Sequence, residues 1–300
     1  MRHNQPHDLS KDGSTTQVST TMPDPSEPLR LLILGAHPDD AEYAGGGLAA
    51  LYRSYGHVVR MVSVTNGEAG HHKISGPKLV DRRKLEAATA ANLIGAEHEV
   101  GDERDGRLWN NEALRERLIR MIRSFKPDLV LTHRPQDYHP DHRNLGQAVI
   151  DAAYLLTVPS ICPDVPYLTK MPVFGALYDK FTRPCPFEPT VVVDISPVWD
   201  RKLSMLEAHE SQFFEWLPHN MGKPAVPFNK EQRRKFLDQW MSELSASIRP
   251  SLEPAIKRIY GRDMADKVRH VEAFEISQYG TEPDKAGLHR LFPMIPTAPY

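Results

Sequence analysis

Cysteine is nearly absent from this chain: 300 residues hold two, Cys162 and Cys185. Two cysteines in proline-rich loop sequence make no disulfide framework, so free thiols in a reducing, cytoplasmic setting are expected. Long apolar runs are missing as well. No stretch reaches the ~18 apolar residues of a membrane span, so no transmembrane helix is expected. A large excess of one charge is also lacking. The formal net charge of −2 gives no electrostatic reason to expect nucleic acid or an anionic membrane as partner. The first strand does not lead into a G-x-G-x-x-G turn, which weighs against a dinucleotide-binding protein. No Ser or Cys nucleophile motif is present.

What is there begins after a polar tail. Residues 1–28 are rich in Ser, Thr, Asp and Pro and have no apolar signal core, so a disordered N-terminal tail is expected, with His3 and His7 solvated in it. Leu29 to Gly35 reads as a buried strand, Ala44 to Tyr55 as a helix and Val58 to Thr65 as a second strand. Val80 to Ile94 and Asn111 to Phe125 read as helices, with Glu97 to Val100 a short strand between them. Leu129 to Thr132, Val173 to Tyr178 and Thr190 to Asp194 follow as strands, and Asn144 to Leu156 and Ser196 to Gln212 as helices. This alternation predicts an α/β, Rossmann-like fold with a mainly parallel sheet flanked by helices. Past Phe214 the pattern changes. Lys230 to Ser247, Ser251 to Tyr260 and Asp263 to Glu275 read as charged helices. Residues 29–214 are therefore expected to form a catalytic domain, and 215–300 a helical extension packed on it or at an oligomer contact.

Two short segments carry the chemistry. Gly35-Ala36-His37-Pro38-Asp39-Asp40-Ala41-Glu42 follows the first strand, and Asp137-Tyr138-His139-Pro140-Asp141-His142 follows Leu129 to Thr132. Ligands bind at the carboxyl ends of strands in an open parallel sheet, so both segments are placed where one site can be assembled. His37 and Asp40, three apart on a strand-to-helix turn, can face one ion, and His142 can add a third ligand. Two His and one carboxylate leave a face open for water and a substrate oxygen. Zn²⁺ is the expected ion, with Fe²⁺ possible. Asp39 beside that site could take a proton from the water held there. His139 could stabilise an oxyanion, and Asp141 could hydrogen-bond its ring.

These two motifs resemble the paired motifs of the PIG-L/LmbE-like N-deacetylases, and the resemblance extends over roughly residues 29–212. It implies a zinc-dependent hydrolase that removes the acetyl group from an N-acetylated amino sugar such as an N-acetylglucosamine conjugate. His37, Asp40 and His142 would be the metal ligands, Asp39 the general base, His139 the oxyanion stabiliser and Asp141 its support. By weaker matches Glu68, Arg83, Asp105 and His209 would bind substrate, with Arg83 and Glu86 as a helix pair. His133 would stand behind the ligands, and His71 and His72 at the entrance. Ala41 departs from the pattern, since many members carry Glu directly after the Asp pair. The expected partner is a small molecule or glycan, with a homo-oligomer possible. Three rivals share parts of the evidence: an amidase on a non-sugar amide, a non-haem Fe(II) enzyme, and an inactive metal-binding module.

Overall fold

Arg30–Gly35 forms β1, whose four central apolar side chains alternate between the two faces of the sheet: Leu31 and Ile33 enter one core, Leu32 and Leu34 the other. A strand covered on both faces reads as a continuous apolar run, as this one does. The computed structural model describes residues 27–296, apart from Ala225, Pro227 and Phe228. The tail expected up to residue 28, with His3 and His7, thus lies almost wholly outside the described residues. After β1 come α1 (Asp40–Ser54), β2 (Val58–Thr65), α2 (Pro77–Asn92), β3 (Glu97–Glu103), α3 (Glu112–Phe125), β4 (Leu129–Thr132) and α4 (Pro140–Ala153). Then follow β5 (Val173–Leu177), β6 (Val191–Asp194), α5 (Trp199–Ala208), a π-helical stretch Ser211–Trp216, α6 (Leu217–Asn220), α7 (Lys230–Tyr260), α8 (Arg262–Ala265), β7 (Val271–Ile276) and α9 (Lys285–Leu291).

The seven strands lie in the order β3-β2-β1-β4-β5-β7-β6. The first five of that order are parallel, and β7 runs antiparallel to both β5 and β6. The chain moves outward from β1 through β2 to β3, then returns to place β4 on the other side of β1. That reversal between β1 and β4 opens a crevice at their carboxyl ends. Both chemistry-bearing segments emerge there. One face of the sheet is covered by α1, α2 and α7, with Leu48, Ala90 and Ile256 in its core. The other is covered by α3 and α4, with Leu118, Ile122 and Val149. Each such fully buried Leu, Ile or Val contributes about 1.5–3 kcal/mol through apolar burial.

The C-terminal region differs from the sequence expectation in two ways. Asp263 to Glu275 is not a helix: α8 ends at Ala265, and Val271–Ile276 is a strand inside the sheet. Val271, Ala273 and Phe274 are buried there, and the β-branched and aromatic residues of Val-Glu-Ala-Phe-Glu-Ile suit strand packing once neighbouring strands are offered. The two helices expected on either side of Pro250 are one helix of 31 residues containing Pro250 and Pro254. Burial of Leu252, Ala255, Ile256 and Ile259 beyond the first proline outweighs the local break that proline favours. No helix among the described residues is long and apolar enough to cross a membrane.

Candidate metal centre

His37 sits on the tight turn between β1 and α1. Gly35 permits that turn, since a Cβ there would lie 2.8 Å from the Asp40 Cβ. His142 lies in the first turn of α4, which Pro140 opens and His139 caps by accepting the Asp141 backbone N–H on Nδ1 at 3.2 Å. Proline at the first position and a capping side chain before it are what a helix start requires. The crevice thereby brings three candidate ligand atoms together. His37 Nδ1 lies 3.2 Å from His142 Nε2 and 3.4 Å from Asp40 Oδ2, and His142 Nε2 lies 3.4 Å from the same Asp40 oxygen. A tetrahedral ion ~2.0–2.1 Å from each ligand atom would separate those atoms by about 3.4 Å. The residues therefore fit a divalent cation.

The other ring nitrogen of each imidazole faces a carboxylate. His37 Nε2 is 3.1 Å from Asp141 Oδ2 and 3.3 Å from Asp105 Oδ1. His142 Nδ1 is 3.0 Å from Asp137 Oδ1. Carboxylates behind imidazoles fix the tautomer and the ring orientation that a metal ligand needs. Asp141 is itself held by the backbone N–H groups of Gly106 and Leu108, and Asp105 by that of Ala69. His133 stands where the sequence placed it, behind the ligands. It accepts the Ala36 N–H on Nε2, lies 3.2 Å from Asp40 Oδ2 and stacks on His142 with ring centroids 3.8 Å apart. A ring nitrogen of His139 is within 4.8 Å of nitrogens of His37 and His142.

The electrostatics follow from burial and these contacts. Burial works to lower the His37 pKa, but hydrogen bonds to Asp105, Asp141 and Asp40 together raise it well above 6.5. His142 rises to about 9, with burial opposed by Asp40 and Asp137. Asp40 falls well below the carboxylate range: burial opposes this, but His142 and His133 prevail. Asp39 behaves oppositely. Burial pushes its carboxyl up to about 6, although Arg83 pulls it down. His139 drops to about 4, chiefly through burial and then through its neighbours His37 and His142.

Asp39 holds φ at 152°, a backbone conformation uncommon for any residue but glycine. Arg83, expected at the substrate, is 1% exposed. Its guanidinium donates to Asp39 Oδ1 at 3.2 Å and to the Pro38 carbonyl at 2.8 Å, so it braces the turn and presents no surface to a ligand. Arg82, not Arg83, pairs with Glu86, which also accepts the Ser211 N–H and hydroxyl. His209 is wholly buried, 3.3 Å from Glu42 Oε1. Glu68 is partly exposed and pairs with Arg104 at 2.7 Å. Asp141 meets His139 through its backbone N–H, while its carboxylate serves His37. His71 is anchored on Glu215 at 2.9 Å and stacked on His72. Asp137, behind His142, carried no role in the sequence reading. Its place five residues before the candidate ligand His142 was the available signal.

Residues 32–153 match the family described as PIG-L: GlcNAc-PI de-N-acetylase. The chain is 30% identical over 192 residues to the probable N-acetyl-alpha-D-glucosaminyl L-malate deacetylase 2 of Bacillus subtilis, covering 61% of this chain and 82% of that protein. It is 26% identical over 193 residues to 4-oxalmesaconate hydratase of Pseudomonas putida, covering 62% and 74%. Among solved structures it resembles N,N'-diacetylchitobiose deacetylase from Pyrococcus horikoshii, with a TM-score of 0.63, 23% identity, and 83% and 84% of the two chains covered. That last likeness is one of fold.

Proposed function

The chain belongs to the PIG-L family, and from that membership we propose that it is a metal-dependent hydrolase removing the acetyl group from an N-acetylated amino sugar or its conjugate. One observation carries the reading: His37 Nδ1, Asp40 Oδ2 and His142 Nε2 form a triangle with edges of 3.2–3.4 Å, backed by carboxylates. These three would hold the ion, and Zn²⁺ suits their mixed nitrogen and oxygen donors best. A bound divalent cation supplies a Lewis acid that polarises an acetamide carbonyl and acidifies water.

The chain's own groups do the rest. Asp39 takes a proton from the attacking water; a carboxyl raised to about 6 by burial is a stronger base than an exposed one. Arg83 keeps that carboxylate aimed. His139 accepts a backbone N–H on Nδ1, so in its neutral form the ring proton sits on Nε2, available to the developing oxyanion. Asp141 positions both His37 and His139. As the C–N bond breaks, the proton held by Asp39 passes to the departing nitrogen, and acetate and a free amine leave. Glu68, partly exposed on the loop after β2, is the candidate for sugar hydroxyls, whereas Asp105 is buried with its carboxylate on His37 Nε2 and the Ala69 N–H. Residues 29–214 carry all of this machinery, and residues 215–300 complete the sheet through β7.

The test is release of free amine from a panel of N-acetylated amino sugars, with zinc-loaded wild type beside Asp39→Asn. A parallel arm supplies 4-oxalmesaconate, because a hydratase is among the relatives. Amine release by wild type and near silence of the variant supports the reading. Hydration of the unsaturated acid without amine release would replace it.

A further inference from the structure

Behind the metal-facing side of the His37 turn lies a chain of buried polar groups that the proposed chemistry does not use. Ser63 on β2 sits opposite Gly35 in the β1–β2 register. Its hydroxyl donates to the His37 carbonyl at 2.9 Å. His98 on β3 lies 2.7 Å from that hydroxyl through Nε2, and its Nδ1 lies 2.7 Å from Glu42 Oε1. Glu42 stands two residues beyond Asp40 on α1. Ser63, Glu42 and the His98 side chain are all 0% exposed. The polarity of the chain follows from donor count. The Ser63 proton goes to the carbonyl, so the Ser63 oxygen receives the His98 Nε2–H, and Nδ1 faces Glu42.

The carbonyl at the end of this chain is the pivot of the turn. It also accepts the N–H groups of Asp39 at 2.9 Å and Asp40 at 3.2 Å. From the front, Asp40 Oδ2 accepts the His37 N–H at 2.7 Å. The segment His37–Glu42 is therefore closed into a ring: backbone on one side, Ser63 and His98 on the other. Loss of one of these bonds leaves a buried polar group without its partner.

We infer that Ser63 and His98 are positioning residues for the metal site, holding the His37 carbonyl and Glu42 so that His37 and Asp40 present their ligand atoms together. The inference rests on His37 and Asp40 being ligands. It accounts for a histidine and a glutamate whose side chains are wholly buried, where a fold in need only of apolar filling would place neither.

The test is Zn²⁺ affinity of the purified protein, read by competition with a chromophoric chelator, for wild type, Ser63→Ala, Ser63→Thr and His98→Gln. Folding is monitored by far-UV circular dichroism. Outer partners of a metal site typically contribute 10–100-fold to affinity, and a loss of that size is expected for folded Ser63→Ala and His98→Gln. Ser63→Thr keeps the hydroxyl and is expected to restore wild-type binding, which a role in bulk stability alone would not require. Wild-type affinity in a folded Ser63→Ala overturns the inference. Should that variant not fold, His98→Gln decides in the same way, since it retains an N–H near Ser63 and loses only the tie to Glu42. A wild type that binds no Zn²⁺ would overturn the ligand assignment itself, an outcome distinct from equal binding by wild type and variants.

Discussion

At the scale of the residue, Asp39 concentrates the unusual features of this site. A non-glycine residue at φ 152° stores strain of order 1–3 kcal/mol, kept only where surrounding contacts over-determine it. Here those contacts are the Arg83 guanidinium and the His37 carbonyl. Replacing Asp39 by Asn keeps the shape and removes the proposed base. Turnover is expected to fall by about 10²–10⁴, with zinc content by metal analysis unchanged. Arg83→Met should lower kcat by roughly tenfold or more and leave KM near its original value, because Arg83 reaches the turn and not the substrate. A large rise in KM with kcat intact would place Arg83 at the ligand after all. The residues in the two motifs were legible in the sequence because each motif is contiguous. His98 was not: in Glu97-His98-Glu99 it reads as one polar residue among others, and only the sheet buries it under Ser63.

At the scale of the element, α1 is tied to the far end of the chain. Glu272 of β7 accepts the N–H groups of Gly47 and Leu48 at 2.8 and 2.7 Å, in the middle of α1. Lys202 of α5 donates to Glu272 at 2.6 Å and to the Tyr43 carbonyl at 2.7 Å. Both residues are 4% exposed. This buried pair thus grips one rung of the helix that carries Asp40. Removing one partner strands a buried charge, so Lys202→Met is expected to destabilise by about 3–5 kcal/mol in urea unfolding, and Lys202→Met with Glu272→Leu by less. Equal loss in the single and double variants would contradict this. Gly47 leaves room for this approach, since a Cβ there would lie 3.0 Å from Glu272 Oε1 and 2.5 Å from Ile195 Cγ2. Gly47→Ala is expected to lower stability by about 1–3 kcal/mol through overpacking, again read in urea. Helices α2 and α3 lay close to where periodicity put them. β7 was misread because a six-residue segment holds no information about the edge it will join.

At the scale of the whole molecule, the site exists only when the sheet is closed. His37 and His142 are separated by 105 residues, and their ligand atoms meet because β1 and β4 are neighbours in register, Leu34 beside Thr132. A cation held by the folded state and not by the unfolded chain stabilises by linkage. Zinc at about 100 times its Kd should add ~2.7 kcal/mol, seen as a higher Tm, and a chelator should reverse it. A Tm indifferent to both would contradict a metal site in the native fold. The sequence by itself determined the alternation of strands and helices, the two turns and the residue types they carry, because these depend on local period and on contiguous motifs. The tertiary structure alone decided which strands become neighbours, that the C-terminal strand enters the sheet, and that Arg83, His98 and His209 are interior. Pairing and burial are settled by packing between distant segments, and no window of sequence contains them.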